Sequence, residues 1–385
     1  MQPKPYSGLR VVDFTTTLAG PHCTRMLADL GADVIKLEAP DGEMMRHRLP
    51  VRDGASTIFG HLNAGKKSVV VDLKTDAGRD TARRLALSAD ILVENYRPGV
   101  MKKFGLDHET LRKANPGLIY CSISGFGQDG PLASFAAYAP VIHAASGYDL
   151  THLSYQDDRE KPDYCGIYIA DVIAGTYAFG AIGVALNMRG STGEGQVIDV
   201  SMLESMLSLL PNEMQQAQFD VVRQSRPLFG PVETSDGYVM LAVGSEKSFQ
   251  AIAHGMNRPD ILTDPRFIKY LERRTNWSQF MEIVEDWSRG FTSAQCLRKF
   301  AEMGVPASAY KTMKEVLRDP QLAHRGALVE VEDAGGTFLS LNPPFQMSGA
   351  DVSVNRWVAS LGEHSGEIAR ELGSEARLAA VADPQ

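Results

Sequence analysis

One carboxylate stands at the head of a long apolar run. Asp171 is followed by Val172 to Leu186, a stretch without charge or proline. The stretch is too long and too rich in alanine and glycine for a strand, so it predicts a buried helix. Asp171 then lies at the helix N-terminus, where backbone N–H groups and the helix dipole favour a negative side chain. Two interpretations are open: Asp171 is an N-cap residue of a packed helix, or it is an ionised carboxylate available as a nucleophile.

Other common chemical motifs are incomplete in this sequence. The turn after the first apolar run, Thr15 to Pro21, has a single glycine, whereas a dinucleotide-binding turn requires GxGxxG. NAD and FAD are therefore disfavoured, and Glu38, at the position of a ribose-binding acid, is interpreted as a solvated loop residue. The glycine cluster Gly190 to Gly195 lacks the Gly-Lys-Ser/Thr of a phosphate-binding loop.

Composition narrows the class of protein further. Of the 385 residues, 44% are hydrophobic and 22% charged, and the net charge is −8 without a basic block. These values indicate a globular protein of about two domains that does not bind nucleic acid. The four cysteines and nine histidines show no metal-ligand spacing, so no metal site is predicted. No signal peptide or charge-free run of about 18 apolar residues is evident, which predicts a cytoplasmic protein without a membrane span.

The first two hundred residues alternate between strand-like and helix-like segments. This alternation predicts βαβ units and a doubly wound, mostly parallel Rossmann-like sheet of the α/β class. Ligands on such sheets bind beyond the carboxyl ends of the strands. The predicted strands are Leu9–Phe14, Asp33–Leu37, Ser68–Leu73, Asp90–Glu94, Leu118–Ser124 and Gln196–Met202, and the predicted helices between them are His22–Leu30, Ala77–Ser88 and His108–Ala114.

The second half of the chain predicts a smaller α+β domain. Ser201 to Gln218 reads as one helix rich in Met and Leu, and the composition changes near Gln224. A strand at Tyr238–Val243 and several polar helices follow, and 327–341 reads as a β-hairpin. The predicted domains are 1–215 with 335–385 for the large domain and 225–330 for the small one. The predicted linkers are 216–224 and 331–334.

Short motifs, in order and spacing, resemble one known family: the class III CoA-transferases, also called the CaiB/BaiF or formyl-CoA transferase-like family. The resemblance covers nearly the whole chain. It is carried by Gly8–Phe14, Leu18–Pro21, Leu27–Glu38, Asn63–Ser68, Asp72–Thr75, Val93–Gly99, Ser122–Gln128, Gly193–Gln196 and Leu361–His364.

The resemblance implies an enzyme that moves CoA from an acyl-CoA thioester to a carboxylic acid. The catalytic aspartate of the family corresponds to Asp171. It would attack the thioester to form an aspartyl–acyl anhydride, which CoA thiolate converts into an aspartyl-CoA thioester. Acyl-CoA and the acid are substrates, and no tightly bound cofactor is implied. Family members also form an interlocked homodimer, so a homodimer is expected.

The same resemblance assigns a CoA site at the strand ends. It implies CoA contacts by Thr16, Thr17, Leu18, Ala19, Asn95, Tyr96, Lys103 and Tyr138. A solvated helix face is the alternative for Lys103 and a core aromatic the alternative for Tyr138. The chain departs from the oxalate-using branch of the family, because it has Leu18 where that branch has glutamine. It also has only the short segment Phe229–Thr234 in place of a long glycine-rich loop.

Two other functions remain open from the sequence. One is a 2-methylacyl-CoA racemase on the same fold, which requires an acid/base pair astride the α-carbon. Racemases of the family place histidine where this chain has Tyr138, and an ordinary tyrosine is a poor base at neutral pH. The other is a non-catalytic CoA-binding subunit. His143, five residues after Tyr138, is interpreted as a hydrogen-bonded core residue and not as a base.

Overall fold

The apolar segments of the chain form strands close to the predicted bounds. The structure is a computed structural model, and it describes residues 2–156, 159–219 and 229–373. Its strands are β1 (Arg10–Asp13), β2 (Asp33–Glu38), β3 (Val51–Arg52), β4 (Ala55–Ser56), β5 (Lys67–Val70), β6 (Ile91–Glu94), β7 (Ile119–Ser124), β8 (Val197–Ser201), β9 (Phe229–Thr234), β10 (Gly237–Ala242), β11 (Ala307–Ala309), β12 (Leu328–Asp333) and β13 (Gly336–Leu341).

Helices alternate with the strands in the first two hundred residues and dominate the segment that follows. The helices are α1 (Ala19–Asp29), α2 (Thr57–Asn63), α3 (Asp76–Ser88), α4 (Val100–Lys103), α5 (His108–Ala114), α6 (Ala139–Ala145), α7 (Tyr148–Leu153), α8 (Ile169–Thr192), α9 (Met202–Leu207), α10 (Pro211–Gln216), α11 (Glu246–Gly255), α12 (Tyr270–Thr275), α13 (Trp277–Ser288), α14 (Ser293–Glu302), α15 (Met313–Val316), α16 (Pro320–His324) and α17 (Ser365–Glu371). Two short 3-10 turns lie at Met44–His47 and Pro259–Thr263.

Six strands form one parallel sheet in the order β5-β2-β1-β6-β7-β8. Successive residues of β1 are buried on opposite faces. Val11 packs in a cluster with Leu27 of α1 and residues of α8, whereas Val12 packs in a cluster with Leu85 of α3 and Leu111 of α5. Helices therefore cover both faces of the sheet, and the central strands are buried on both sides. The predicted α/β class and the parallel sheet are confirmed.

The chain divides into two compact units, Met1–Gln215 with Gln321–Gln385 and Gln216–Pro320. The second unit contains a three-stranded antiparallel sheet in the order β11-β10-β9 and its own apolar core. Phe229–Thr234, the short segment at the position of the glycine-rich loop of the oxalate-using branch, is strand β9 of this sheet, because its residues pair along the whole of β10.

Two predicted boundaries differ from the structure. The predicted linker 331–334 is the end of β12 and the hairpin turn, because Val331 pairs with Phe338 and Asp333 with Gly336. This hairpin lies in the first unit. Residues 220–224 of the other predicted linker lie outside the described part of the chain. The predicted single helix at Ser201–Gln218 is two helices, α9 and α10, since Pro211 starts a new helix after the turn at Ser208 and Leu209.

The C-terminal segment covers one edge of the parallel sheet. Strand β5 is the edge strand. The hydroxyl of Ser365 accepts a hydrogen bond from Val70 N at 3.1 Å, and His364 N donates to Ser68 O at 3.0 Å. The backbone groups of an edge strand are otherwise open to pairing with another chain.

Helix α8 is long and apolar enough to cross a membrane by length and composition. The charge-free run in the sequence is shorter than this helix and therefore did not predict a membrane-spanning length. Ala174, Ala178 and Ile182 of α8 belong to the core that packs against the sheet. A single helix of this kind, packed in a core, is weak evidence for a membrane span.

Candidate active site

The turn between β1 and α1 is held by hydrogen bonds to its backbone. Asp13 Oδ1 accepts from Thr15 N at 2.8 Å and from the Thr15 hydroxyl at 2.5 Å. The side-chain amide of Asn95, just beyond β6, pairs with both backbone groups of Thr16. Its oxygen accepts from Thr16 N and its nitrogen donates to Thr16 O, each at 2.8 Å. The amide of Asn95 therefore fixes the turn.

A buried acid and a buried lysine clamp the same turn further along. Thr17 has φ of 69°, a left-handed conformation that is unfavourable for a β-branched residue. Glu43 Oε1 accepts from Thr17 N at 2.5 Å, and Glu43 Oε2 lies 2.7 Å from Lys36 Nζ. Lys36 Nζ also donates to Thr15 O at 2.7 Å. The surrounding structure thus imposes the unusual geometry of Thr17.

Buried charges continue beneath the turn. Lys66 Nζ donates to Asp13 Oδ2 at 3.0 Å and to Thr24 Oγ1 at 2.7 Å. Burial by itself raises the pKa of Asp13, but Lys66, Lys36 and two threonine hydroxyls outweigh it and hold the pKa below its usual value. Burial lowers the pKa of Lys66 to about 8, although Asp13 opposes the shift. The charges are paired, as buried charges must be.

Glu38 belongs to this buried network, so its interpretation as a solvated loop residue is wrong. The residue is 3% exposed. Its oxygens accept from Arg46 Nη2 and Nε, each at 2.7 Å, and from Ser68 Oγ at 2.6 Å. The bidentate arginine pair explains how the carboxylate is buried at the end of β2.

Asp171 lies in the first turn of α8, two residues beyond the first helical residue. The N-cap position is occupied by Tyr168, whose side chain caps no backbone group. The N-cap interpretation of Asp171 is therefore wrong. The backbone N–H of Ala19 faces its carboxylate and favours the ionised form, which lowers the pKa. Asp171 is 9% exposed.

Two helix N-termini meet at the Asp171 carboxylate. Ala19 is the first residue of α1, so this carboxylate faces the positive end of α1 as well as that of α8. Burial raises the pKa of Asp171 to about 6, and the Ala19 N–H acts in the opposite direction. At neutral pH the group is mostly ionised and poorly solvated, the state in which a carboxylate is an effective nucleophile.

Gly175 allows the two helices to approach this closely. A Cβ atom at Gly175 would lie 2.4 Å from Ala19 O, well inside contact distance. Gly175 follows Asp171 by four residues, on the same face of α8. The sequence analysis missed this residue, although a glycine one turn after a candidate nucleophile in an alanine-rich helix is a readable signal of close backbone approach.

Asp171 opens into a cavity of about 220 Å³ at the carboxyl ends of the sheet strands. Of the predicted site residues, seven line this cavity together: Thr16, Thr17, Ala19, Asn95, Tyr96, Tyr138 and Asp171. Tyr138 is 65% exposed, so its alternative as a core aromatic is wrong. Residues far apart in sequence thus meet where the α/β rule places ligands.

Two predicted residues lie elsewhere. Leu18 is 8% exposed and packs against Met45, Phe59 and Leu62. Its side chain is therefore part of an apolar core and does not line the cavity. Lys103 is exposed at the end of the four-residue helix α4 and does not line the cavity either. Lys103 thus lies on a solvated helix face, which was the alternative interpretation of this residue.

The cavity also contains residues that the sequence analysis did not assign. Arg97 is the cation among the lining residues that belong to the described part of the chain. Ser124 is 7% exposed, and its hydroxyl has no hydrogen-bond partner within the described residues. Both lie in motifs that the sequence analysis quoted. The remaining unassigned lining residues are Pro98, Ile123, Gly125, Ala133, Phe135, Ala136, Ala137 and Met202.

A second buried carboxyl lies beside the cavity, at the end of β6. Glu94 is 3% exposed and accepts from Tyr96 N at 2.9 Å. Burial raises its pKa to about 7, and hydrogen bonds from Ser122 and Tyr96 act in the opposite direction.

Among residues 2–156, 159–219 and 229–373, no group of three or more His, Cys, Asp or Glu side chains is placed to hold a metal ion.

Comparison with known proteins gives the family. The family model for CoA-transferase family III matches residues 6–365. The chain belongs to CoA-transferase family III. A family III relative named succinate–glutarate CoA-transferase, from Agrobacterium fabrum, is 34% identical over 97% of this chain and 97% of its own length. The human protein named succinyl-CoA:glutarate CoA-transferase is 31% identical over 96% of this chain and 86% of its own length.

Solved structures of the family agree with the fold. The crystal structure of a CAIB/BAIF family protein from Brucella suis matches with a TM-score of 0.85 and 34% identity, covering 96% of this chain and 100% of that one. The family resemblance expected from the motifs is confirmed. The protein is a family III CoA-transferase, an enzyme whose substrates are CoA thioesters.

Proposed function

We propose that this family III CoA-transferase works through covalent intermediates on Asp171. One observation carries the proposal. Asp171 is a buried carboxylate that opens into the cavity at the strand ends, beside the first residue of α1. It is ionised at neutral pH because its pKa is about 6. Among the residues that the structure describes, no other carboxylate lines this cavity.

The reaction follows from an ionised carboxylate and needs no proton transfer. One Asp171 oxygen attacks the carbonyl carbon of the acyl-CoA. The C–S bond breaks, CoA leaves as thiolate, and an aspartyl–acyl anhydride remains. The thiolate then attacks the aspartyl carbonyl, which releases the first acid as a carboxylate and leaves aspartyl-CoA. The carboxylate of the second acid repeats these steps in reverse and departs as its CoA thioester, which restores Asp171.

The lining residues support CoA binding in the same cavity. We assign CoA contacts to Thr16, Thr17, Ala19 and Asn95 on one side and to Tyr96 and Tyr138 on the other. The aromatic rings offer faces for the adenine base. Arg97 supplies a positive charge for a phosphate of CoA. Its guanidinium group can donate two parallel hydrogen bonds to two oxygens of one phosphate.

Covalent capture tests the proposal. Incubation with an acyl-CoA donor and no acceptor is expected to leave acyl or CoA mass on the peptide that contains Asp171. Hydroxylamine is expected to convert this adduct to a hydroxamate at that residue. Asp171→Asn keeps the side-chain size and is expected to fold and bind CoA, yet to form no adduct and to lose nearly all turnover. Mass spectrometry and steady-state rates measure both.

The result also separates this reaction from the two other functions. A non-catalytic CoA-binding subunit predicts no adduct and no effect of Asp171→Asn. A racemase predicts deuterium incorporation from solvent at the α-carbon of a chiral 2-methylacyl-CoA. Either observation, with no adduct on Asp171 in the unmodified protein, would refute the transfer mechanism.

We propose succinyl-CoA as the donor and a dicarboxylic acid as the acceptor. The names of the relatives from Agrobacterium fabrum and human carry this choice, since both name succinate or succinyl-CoA with glutarate. A mass-spectrometric screen of acyl-CoA donors against carboxylic acids tests it. Transfer to monocarboxylic acids alone would refute the choice of acceptor and leave the aspartyl mechanism intact.

We further propose that two copies of the chain form a homodimer through α8, in the interlocked arrangement of the family. The face of α8 opposite the sheet is apolar and exposed: Val172 is 45%, Tyr177 50% and Val184 62% exposed. A patch of this kind on one protomer marks a protein contact. Sedimentation at decreasing concentration is expected to show a dimer, and a stable folded monomer would contradict the proposal.

A further inference from the structure

The helix that carries Asp171 has an unusual start. Tyr168, in the N-cap position of α8, makes no side-chain cap. The N–H of Ala170, the residue before Asp171, instead donates to Nε2 of His143 at 3.3 Å. His143 belongs to α6, so one helix supplies the cap of another. Uncapped N–H groups in the first turn otherwise need water or another acceptor.

Within the described residues, the His143 ring makes one hydrogen bond, the one from Ala170 N. The residue is 1% exposed. Since Nε2 accepts a hydrogen bond, the ring is neutral and its proton is on Nδ1. Nδ1 has no hydrogen-bond partner within the described residues. A buried polar group with one unsatisfied nitrogen is costly. A residue that served only to fill the core would be apolar, so the contact with Ala170 accounts for the histidine.

We propose that His143 is a positioning residue, which fixes the first turn of α8 and thereby the Asp171 carboxylate against Ala19 N. The proposal rests on the proposed role of Asp171 as the nucleophile. His143 acts on Asp171 through the backbone, because Ala170 and Asp171 are consecutive and share the first helical turn. A small shift of this turn moves the carboxylate out of line with the thioester carbonyl, and such misplacement can cost about a hundredfold in rate.

The contact requires neutral imidazole. Protonation would turn Nε2 into a donor facing the Ala170 N–H and the positive end of α8. Burial lowers the pKa of His143 below its ordinary value, and the negative charge of Asp149 opposes the shift. The Tyr148 ring is a further titratable neighbour, 5.6 Å from the His143 ring between ring centres, and His152 stacks on Tyr148. The ring is therefore neutral at physiological pH, and acid breaks the contact.

Three variants separate positioning from simple packing. His143→Leu fills the space without an acceptor, and His143→Gln supplies an amide oxygen that does not titrate. Ile142→Val, at the neighbouring buried position of α6, is the matched control that removes packing alone. His143→Leu is expected to lower kcat and the rate of adduct formation on Asp171 at least tenfold, with KM for the acyl-CoA unchanged. His143→Gln is expected to recover most of this loss, and Ile142→Val to leave kcat unchanged.

The pH profile provides a readout that packing does not move. In the unmodified enzyme, two groups act on the acid side: Asp171 must be ionised and His143 must be neutral. A plot of log kcat/KM against pH is expected to fall with a slope steeper than one at acid pH, once both groups are protonated. In His143→Gln the slope is expected to return to one, since only Asp171 titrates.

Two results would overturn the positioning role. One is a kcat for His143→Leu equal to that of Ile142→Val, and the other is an acid slope of one in both the unmodified enzyme and His143→Gln. These failures are distinct from failure of the proposed function. If the unmodified enzyme forms no adduct on Asp171, the nucleophile assignment fails; if it forms one while His143→Leu acts normally, only the positioning role fails.

Discussion

The carboxylate of Asp171 is less stable in the folded protein than in water. Its pKa is raised from 3.8 to about 6, with burial as the main cause. Between pH 4 and 6 the unfolded chain ionises at this residue while the folded protein keeps the proton. Rising pH therefore lowers stability across this window, and the loss is complete above about pH 6.

Asp171→Asn is accordingly expected to stabilise the protein. A shift of about two pKa units corresponds to at most about 3 kcal/mol of unfolding free energy at pH 8. The gain is expected to shrink as pH falls towards 4, where the wild-type carboxyl is protonated in the folded state and about half protonated in the unfolded state. Urea unfolding of the two proteins at pH 8 and pH 4 measures the difference. An Asn variant that is less stable at pH 8 would show that interactions of the ionised carboxylate outweigh its burial.

Arg97 and Lys103 form a matched pair of cations that differ in position. Arg97 lines the cavity and Lys103 does not. Arg97→Gln is expected to raise KM for acyl-CoA about tenfold, since a charge-assisted bond to phosphate contributes about 1.5 kcal/mol or more. Lys103→Gln is expected to change KM less than twofold. Initial-rate kinetics at two salt concentrations tests both, and a larger effect of Lys103→Gln would place CoA along α4 instead.

At the scale of helices, the site depends on the closeness of α1 and α8. Gly175→Ala would place a methyl group 2.4 Å from Ala19 O, so α8 must move away from α1. We expect a loss of about 1–3 kcal/mol in stability. We also expect a fall of about a hundredfold in kcat, because the Ala19 N–H would no longer reach Asp171.

The control for this prediction lies on the same helix. A Cβ at Gly190, near the far end of α8, would meet no atom within 4 Å. Gly190→Ala is expected to stabilise the protein by about 0.5–1 kcal/mol through helix propensity and to leave kcat unchanged. Thermal unfolding and turnover measure both variants. Equal activity of the two alanine variants would mean that the approach of α1 does not matter to catalysis.

Most strands and helices of the sheet domain, and seven of the residues that line the cavity, could be predicted from the sequence. Apolar runs and their spacing predicted the strands of the parallel sheet, and the family resemblance predicted Thr16, Asn95 and Asp171 at one site. The sequence could not show that Leu18 turns inward or that Glu38 pairs with Arg46. Those outcomes depend on side-chain directions and on pairs that form only after the strands have aligned. The helix start at Tyr168 was missed by a few residues, because no Ser, Thr, Asp or Asn precedes the helix there.

At the scale of the molecule, the exposed face of α8 predicts how the protein assembles. Val184→Glu would place a charge in the centre of the proposed contact and is expected to weaken the dimer at least tenfold. Leu271→Glu, at a residue of α12 that is 71% exposed, is the control and is expected to leave the dimer intact. Sedimentation equilibrium compares the two. Equal dissociation constants would place the contact away from α8.

The cover on strand β5 has a consequence for biosynthesis. The groups that satisfy this edge, Ser365 Oγ and His364 N, are made late, almost three hundred residues after Val70. While the ribosome is still adding the middle of the chain, the sheet can form but one border stays open to other nascent chains. Synthesis of the C-terminal segment closes that border. A chain truncated before residue 361 should therefore aggregate, even though every strand of the sheet is present.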